Sequence, residues 1–302
     1  MCKTRKSAFV KIRFQYYGVR GSIPVSGKEF SRYGGSTTCF FVETEKTKLV
    51  IDAGTGIRLL GMDLLKREFG QGKGKLHILF THTHWDHIQG FPFFIPCYIP
   101  GNEIHIYGET KQVKVLTDAG REEIQTWSIE RTLYMQQMFM YFPASTHNMS
   151  ANLHFHELKS GQVLELEDLK VESLTLYHPN HSLGFRITHG DFSFVFCTDV
   201  EHSDAMIEKL SAFAEGANGL AYDSQYLPEE YEQGKVGWGH STYYHGIQIA
   251  KKANIPHFHL IHHDPTHDDE KLNSIQELAK KEFSNSFLVP EGFSFTNEDL
   301  GF

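Results

Sequence analysis

Thr81-His82-Thr83-His84-Trp85-Asp86-His87 follows directly on an apolar, strand-like run, Leu76-His77-Ile78-Leu79-Phe80. Four metal-binding side chains within six residues at a strand end describe an inorganic site rather than ordinary loop composition. His82 and His84 stand two apart, so on an extended segment they point the same way and can grip one ion, while Asp86 and His87 can turn toward a second. Two metals are implied. Imidazole nitrogen with carboxylate oxygen suits zinc first, with manganese or iron as alternatives, and no cysteine pair stands nearby to close a structural zinc site.

The 302 residues are 40% hydrophobic and 22% charged, enough for a substantial core, and one domain spanning 1–302 is expected. A net charge of −8 argues against a broad basic surface and therefore against long polyanions as default partners. Cys2, Cys39, Cys97 and Cys197 are scattered without close pairing, which fits a reducing, cytoplasmic setting. Met1 to Lys6 is basic but leads into the alternating run 9–16, not into an apolar signal segment. The most apolar window, Phe91 to Ile99, carries Pro92 and Pro96 and has about half the length of a membrane span. It reads as a buried loop or site wall, and no membrane partner is expected.

Strand patterns at 9–17, 37–44, 47–52 and 76–81 fill the first third, with an amphipathic helix pattern near 56–68. Further strands are expected at 152–158, 162–166, 170–177, 184–189, 192–198 and 218–222, and helices at 203–214, 241–253 and 268–283. An α/β architecture of two sheets covered by helices follows. The segment 109–150, with its aromatic and methionine run 133–142, reads as a helix packed in the core, with a lid or dimer-contact insertion as the alternative.

Two metals need more ligands than the first cluster offers. His178, His181, Asp199, His240, His262, His263 and His267 are the candidates, and spacing alone does not choose among them. Here the chain resembles the metallo-β-lactamase fold superfamily, whose hallmark His-x-His-x-Asp-His is matched by residues 82–87 and is followed by distant His, Asp and His ligands. It looks most like the phosphodiesterase branch that includes tRNase Z, which pairs its third histidine with Gly-aromatic-Arg six residues later, as in His178 and Gly184-Phe185-Arg186. The resemblance implies a four-layer αββα sandwich of two mixed sheets. It also implies His82, His84, Asp86, His87, His178, Asp199 and His262 as metal ligands, with Asp199 bridging and His263 the rival of His262.

Gly239-His240-Ser241-Thr242 is similar to the His-Ser-Thr motif of that branch, and Asp223 occupies the place of its acidic partner, so the resemblance makes His240 and Asp223 a proton relay. Asp86 is expected in both a ligand and a catalytic role. Asp52 would orient a ligand, Arg20 would meet a phosphate or serve structure, and His154 and His156 belong to packing or solvent. Thr266 with Asp269 reads as a helix start, and His267 as a residue of the cleft.

The function implied is hydrolysis of a small phosphodiester such as a cyclic nucleotide, with a metal-bound hydroxide as nucleophile and His240 as general acid. A homodimer is implied as well. A ribonuclease acting on RNA 3′ ends is the alternative, weakened by the charge and by the lack of a glycine- and proline-rich arm. A noncatalytic, metal-stabilised binding protein is the further alternative.

Overall fold

The computed structural model describes residues 11–302, so Cys2, the basic start and the first two positions of the strand expected at 9–17 lie outside the described residues. The first half supplies strands β1 (Arg13–Gly18), β2 (Cys39–Glu43), β3 (Lys48–Ile51), β4 (Lys75–Leu79), β5 (Glu103–Gly108), β6 (Lys111–Leu116) and β7 (Glu122–Trp127). The second supplies β8 (Asn152–Glu157), β9 (Val163–Leu166), β10 (Leu169–Leu176), β11 (Ser182–His189), β12 (Phe192–Cys197), β13 (Gly219–Asp223), β14 (His257–Ile261), β15 (Ser286–Leu288) and β16 (Ser294–Thr296). Helices are α1 (Ile57–Leu65), α2 (Trp85–Ile88), α3 (Ile129–Gln136), α4 (Asp204–Ala214), α5 (Pro228–Glu232), α6 (Tyr243–Lys252) and α7 (Asp269–Glu282).

Two seven-stranded sheets result, ordered β16-β1-β2-β3-β4-β5-β8 and β15-β14-β13-β12-β11-β10-β9. Each is antiparallel in one half and parallel in the other, the parallel runs being β3-β4-β5-β8 and β12-β13-β14-β15. Period-two alternation sorts the side chains. Phe14, Phe40, Phe194 and Phe196 face between the sheets, with Phe40 stacked on Phe196 at 4.9 Å between centroids. The opposite faces bury Val50, Leu76 and Ile78 with Leu60 and Leu64 of α1, and Leu220, Tyr222 and Leu260 with Leu210, Ile247 and Ile275 of α4, α6 and α7. The layers are αββα, and the expected elements of both sheets fall close to their observed bounds. No described helix is long and apolar enough to cross a membrane.

The segment 109–150 departs from expectation. β6 and β7 form a two-stranded sheet of their own, and the core helix is limited to α3, whose Ile129 and Leu133 are buried. The helix ends at Gln136, so Phe139, Met140 and Tyr141 fall on the following turns and are 72% exposed or more. α7 also starts differently: Asp268, not Thr266, caps it by accepting from the Lys271 amide, while Asp269 receives the Arg32 and Tyr33 amides. His154 is exposed and His156 half-buried, and both stack on His105 of the neighbouring strand. Phe91, Phe94 and Cys97 of the apolar window are buried in short turns.

One inward position of β14 is polar. His259 sits among Phe194, Phe287, Phe293 and Phe295, its Nδ1 2.9 Å from the Tyr16 hydroxyl, and burial pushes its pKa down to about 3. The folded protein therefore holds this ring neutral, whereas the unfolded chain protonates it below about pH 6.5. Stability is full above that value and is lost as pH falls toward the folded pKa, by roughly 2 kcal/mol at pH 5 for one such ring. Urea unfolding at pH 7.5 and 5.0 is expected to show this loss, and His259→Phe to reduce the slope against pH whatever it does to absolute stability.

Candidate metal centre

Most of the cluster sits just past strand ends, with Asp86 and His87 on the helix α2 that follows β4 and His240 in the turn before α6. Asp52 follows β3, the 82–87 segment follows β4, Asp199 follows β12, Asp223 ends β13 and His262 follows β14. These are the carboxyl ends of neighbouring parallel strands, where open α/β sheets gather ligand-binding groups. Asp52, Asp199 and His262 have left-handed backbones, with φ of 62°, 53° and 63°. Each such non-glycine conformation costs on the order of 1 kcal/mol or more and persists only where its surroundings fix it.

Asp199 lies at the centre. Its Oδ2 is 3.5 Å from both His82 Nε2 and His178 Nε2, and His178 Nε2 is 3.1 Å from His84 Nδ1. Its Oδ1 is 3.1 Å from His87 Nε2 and 3.0 Å from His262 Nε2, and Asp86 Oδ2 is 3.2 Å from each of those two nitrogens. The two oxygens thus divide the cluster: His82, His84 and His178 on one side, Asp86, His87 and His262 on the other. Only His84 of these is exposed.

The outward ring nitrogens are pinned. His87 Nδ1 meets Asp52 Oδ2 at 2.8 Å, and Asp52 is itself held by the amide and hydroxyl of Thr81. His178 Nδ1 donates to the Gly239 carbonyl at 2.7 Å, and His262 Nδ1 lies 2.9 Å from Gln225 Oε1. These contacts turn Nε2 of all three rings inward, as such outer partners do around metals. His82 Nε2 is buried without a hydrogen-bond partner, and His87 Nε2 sits between the Asp86 and Asp199 carboxylates at 3.2 and 3.1 Å without the alignment of a hydrogen bond to either. Orphaned inward nitrogens beside ionised carboxylates are the donor set a divalent ion of the zinc type satisfies.

Charge divides the same way. Burial pushes His82 well below the usual imidazole range and His178 to about 4. Burial opposes charging His87 and His262 too, but Asp199 and Asp86 outweigh it, raising His87 well above its ordinary value and His262 to about 9. Against burial, the same imidazoles hold Asp86 and Asp199 well below the carboxylate range. This side of the cluster is built for positive charge.

His240 Nδ1 lies 2.9 Å from Asp223 Oδ2, and Asp199, Asp223, His240 and His262 bring ligand atoms within 4.8 Å of one another. Other candidates are elsewhere. His263 turns away, Nε2 3.0 Å from the Val289 carbonyl, and His181 is exposed. Buried His267 pairs with Glu230. Arg20 is fully buried and binds the carbonyls of Gly34, Asp264 and His267, a structural role, and Arg186 binds Phe213 and Glu215 carbonyls.

Sequence reasoning missed Gln225, Glu201 and Ser22. The Ser22 amide donates to Asp86 Oδ2 at 2.7 Å, and Glu201 accepts the Gly239 amide behind His178. Gln225, two residues past Asp223, carried the only local signal, since alternate positions at a strand end face the same way.

A cluster of histidines and aspartates at the ends of two facing mixed sheets defines a metallo-β-lactamase fold. The chain belongs to the beta-lactamase superfamily domain family, whose model matches residues 47–263. Ribonuclease Z of Metallosphaera sedula is 22% identical over 289 residues, covering 85% of this chain and 92% of that protein. The metallo-beta-lactamase fold protein YhfI of Bacillus subtilis matches with a TM-score of 0.68 at 17% identity, covering 95% of this chain and 99% of that one. The short form of human tRNase Z matches at 0.62 and 14% identity, over 94% and 98% of the two chains. At these identities the solved structures speak to the fold.

Gly21 is tightly constrained, because a Cβ there would stand 2.5 Å from His262 Nδ1 and 2.9 Å from Gln225 Oε1. Gly21→Ala is expected to cost about 1–3 kcal/mol of unfolding free energy in the metal-free protein, measured by urea denaturation.

Proposed function

We propose that the chain is a metal-dependent phosphodiesterase acting on a small diester such as a cyclic nucleotide. The carrying observation is the division of the cluster by the two oxygens of Asp199, with the Asp223–His240 pair beside it. In this reading His82, His84, His178 and Asp199 would hold one ion, and Asp86, His87, His262 and the same Asp199 would hold the other, zinc being the first choice. Such ions supply Lewis acidity toward a phosphoryl oxygen and a nucleophile from water near neutral pH.

The chain's own groups supply the proton transfers. Nδ1–H of His240 donates to Asp223, so the transferable proton sits on Nε2 of the imidazolium form. When the bond from phosphorus to the leaving oxygen breaks, the electron pair goes to that oxygen and His240 Nε2 gives it a proton. Asp86 would serve as a ligand and, through its carboxylate, would accept a hydrogen bond that orients the attacking water. Outer contacts from Asp52, Gln225 and the Gly239 carbonyl keep the three rings oriented, so little reorganisation accompanies the reaction.

Composition supports a small substrate. Net charge is −8, and residues 109–127, which include the β6–β7 hairpin, set Lys111, Lys114 and Arg121 against Glu109, Asp118, Glu122 and Glu123, which is no basic track for RNA. Cleavage at RNA 3′ ends is the second reading, favoured by the relative named ribonuclease Z.

Protein loaded separately with zinc, manganese and iron is expected to hydrolyse bis-p-nitrophenyl phosphate and 3′,5′-cyclic AMP. His240→Ala should lose about two orders of magnitude on cyclic AMP and less on the activated ester, whose leaving group needs no proton. Asp223→Asn should follow it in the same direction. No turnover of either ester with any metal while two ions are bound would move RNA ends to the front.

A further inference from the structure

The loop from α5 to His240 is built as a fixed lip. Buried Glu201 accepts three hydrogen bonds from it: the Tyr231 hydroxyl at 2.7 Å, the Gly237 amide at 2.6 Å and the Gly239 amide at 3.0 Å. Gly237 and Gly239 take φ of 86° and 85°, which side-chain-bearing residues rarely adopt. The same Gly239 offers its carbonyl to His178 Nδ1, so the lip is tied to the metal cluster at its far end.

Two side chains on this lip bear on what the cleft meets. Trp238 is 57% exposed although it directly precedes Gly239 and His240. Lys235 Nζ lies 4.1 Å from the Trp238 ring centroid and 5.3 Å from that of Tyr226, and the Tyr226 ring stands 6.0 Å from His240. The ammonium therefore rests on two ring faces beside the proton donor of the proposed reaction. Trp85, 63% exposed between His84 and Asp86, and Tyr177, 57% exposed before His178, adjoin the same cluster. Two of the three tryptophans of the chain thus flank the cluster in water. A ligand with a flat π face and an anionic group would cover the part of the indole that Lys235 leaves in water and answer the ammonium beside it.

We propose that the lip 234–239 recognises a nucleoside, with Trp238 stacking on the base and Lys235 pairing with a phosphate oxygen, so that the substrate is a nucleotide diester rather than a simple alkyl one. This rests on the phosphodiesterase reading above and names the residues that would recognise the nucleoside part of its substrate. Both residues determine specificity and take no part in bond breaking. Stacking on an aromatic side chain tolerates any base and is worth roughly tenfold in affinity.

The test compares two esters with one leaving group, thymidine 5′-(p-nitrophenyl phosphate) and methyl p-nitrophenyl phosphate, using zinc- and manganese-loaded protein. The wild type is expected to favour the nucleoside ester about tenfold or more in kcat/KM. Trp238→Ala should bring that ratio to within about twofold of one, and Trp238→Phe should restore most of it. Lys235→Ala should lower kcat/KM on both esters through KM while keeping the ratio, because the charge it answers is common to both. Turnover of both esters with no preference, or a preference that survives Trp238→Ala, overturns the lip proposal and leaves the phosphodiesterase reading standing. If neither ester turns over with ions bound, that reading fails, and calorimetric binding of AMP to the loaded protein decides the lip: a loss of fivefold or more in Trp238→Ala supports it and equal affinity overturns it.

Discussion

The carboxylate of Asp199 is the interaction on which the site depends. A single buried side chain reaches four imidazoles within 3.5 Å, His82 and His178 in one group and His87 and His262 in the other, and comes within 4.0 Å of a fifth, His240, so its position sets the distance between those groups. That position is secured by structure on both sides of it. β12, entirely buried, delivers it, and the turn into the left-handed conformation at Asp199 aims the carboxylate across the gap between the sheets. Ionising such a group in a low-dielectric interior is costly unless cations surround it, and the imidazoles of His87 and His262 provide them in the protein without metal.

The same logic repeats at the other strand ends. Asp52 and His262 also turn left-handed at the ends of β3 and β14, and each is held by a second contact, Asp52 by Thr81 and His262 by Gln225. Local strain on the order of 1 kcal/mol or more per residue is offset by the large cores on which the strands rest. Strand ends and the short helix α2 carry the inner ligands, while the lip before His240 carries groups that would meet a substrate. That separation lets one scaffold keep a cluster fixed and vary what it acts on.

Legibility in the sequence followed distance along the chain. His82, His84, Asp86 and His87 could be read from six residues because all four sit in the short turn and helix α2 that directly follow β4. His178, Asp199 and His262 could be chosen over His181 and His263 only through resemblance, since the choice is made by which ring faces Asp199 across the sheets. Glu201 was invisible because its partners Tyr231, Gly237 and Gly239 lie 30 residues or more away and are bound chiefly through backbone. The two sheets were legible from alternation, but the run 133–142 misled, because its apolar residues pass from α3 onto turns where they face outward.

Metal content measured by plasma mass spectrometry, after loading with zinc and extensive dialysis, tests the central role of Asp199 most directly. Two ions per chain in the wild type, falling to fewer than one in Asp199→Ala with the fold retained by circular dichroism, is the predicted result. A wild type that holds one ion or none, or an Asp199→Ala variant that still holds two, would contradict it.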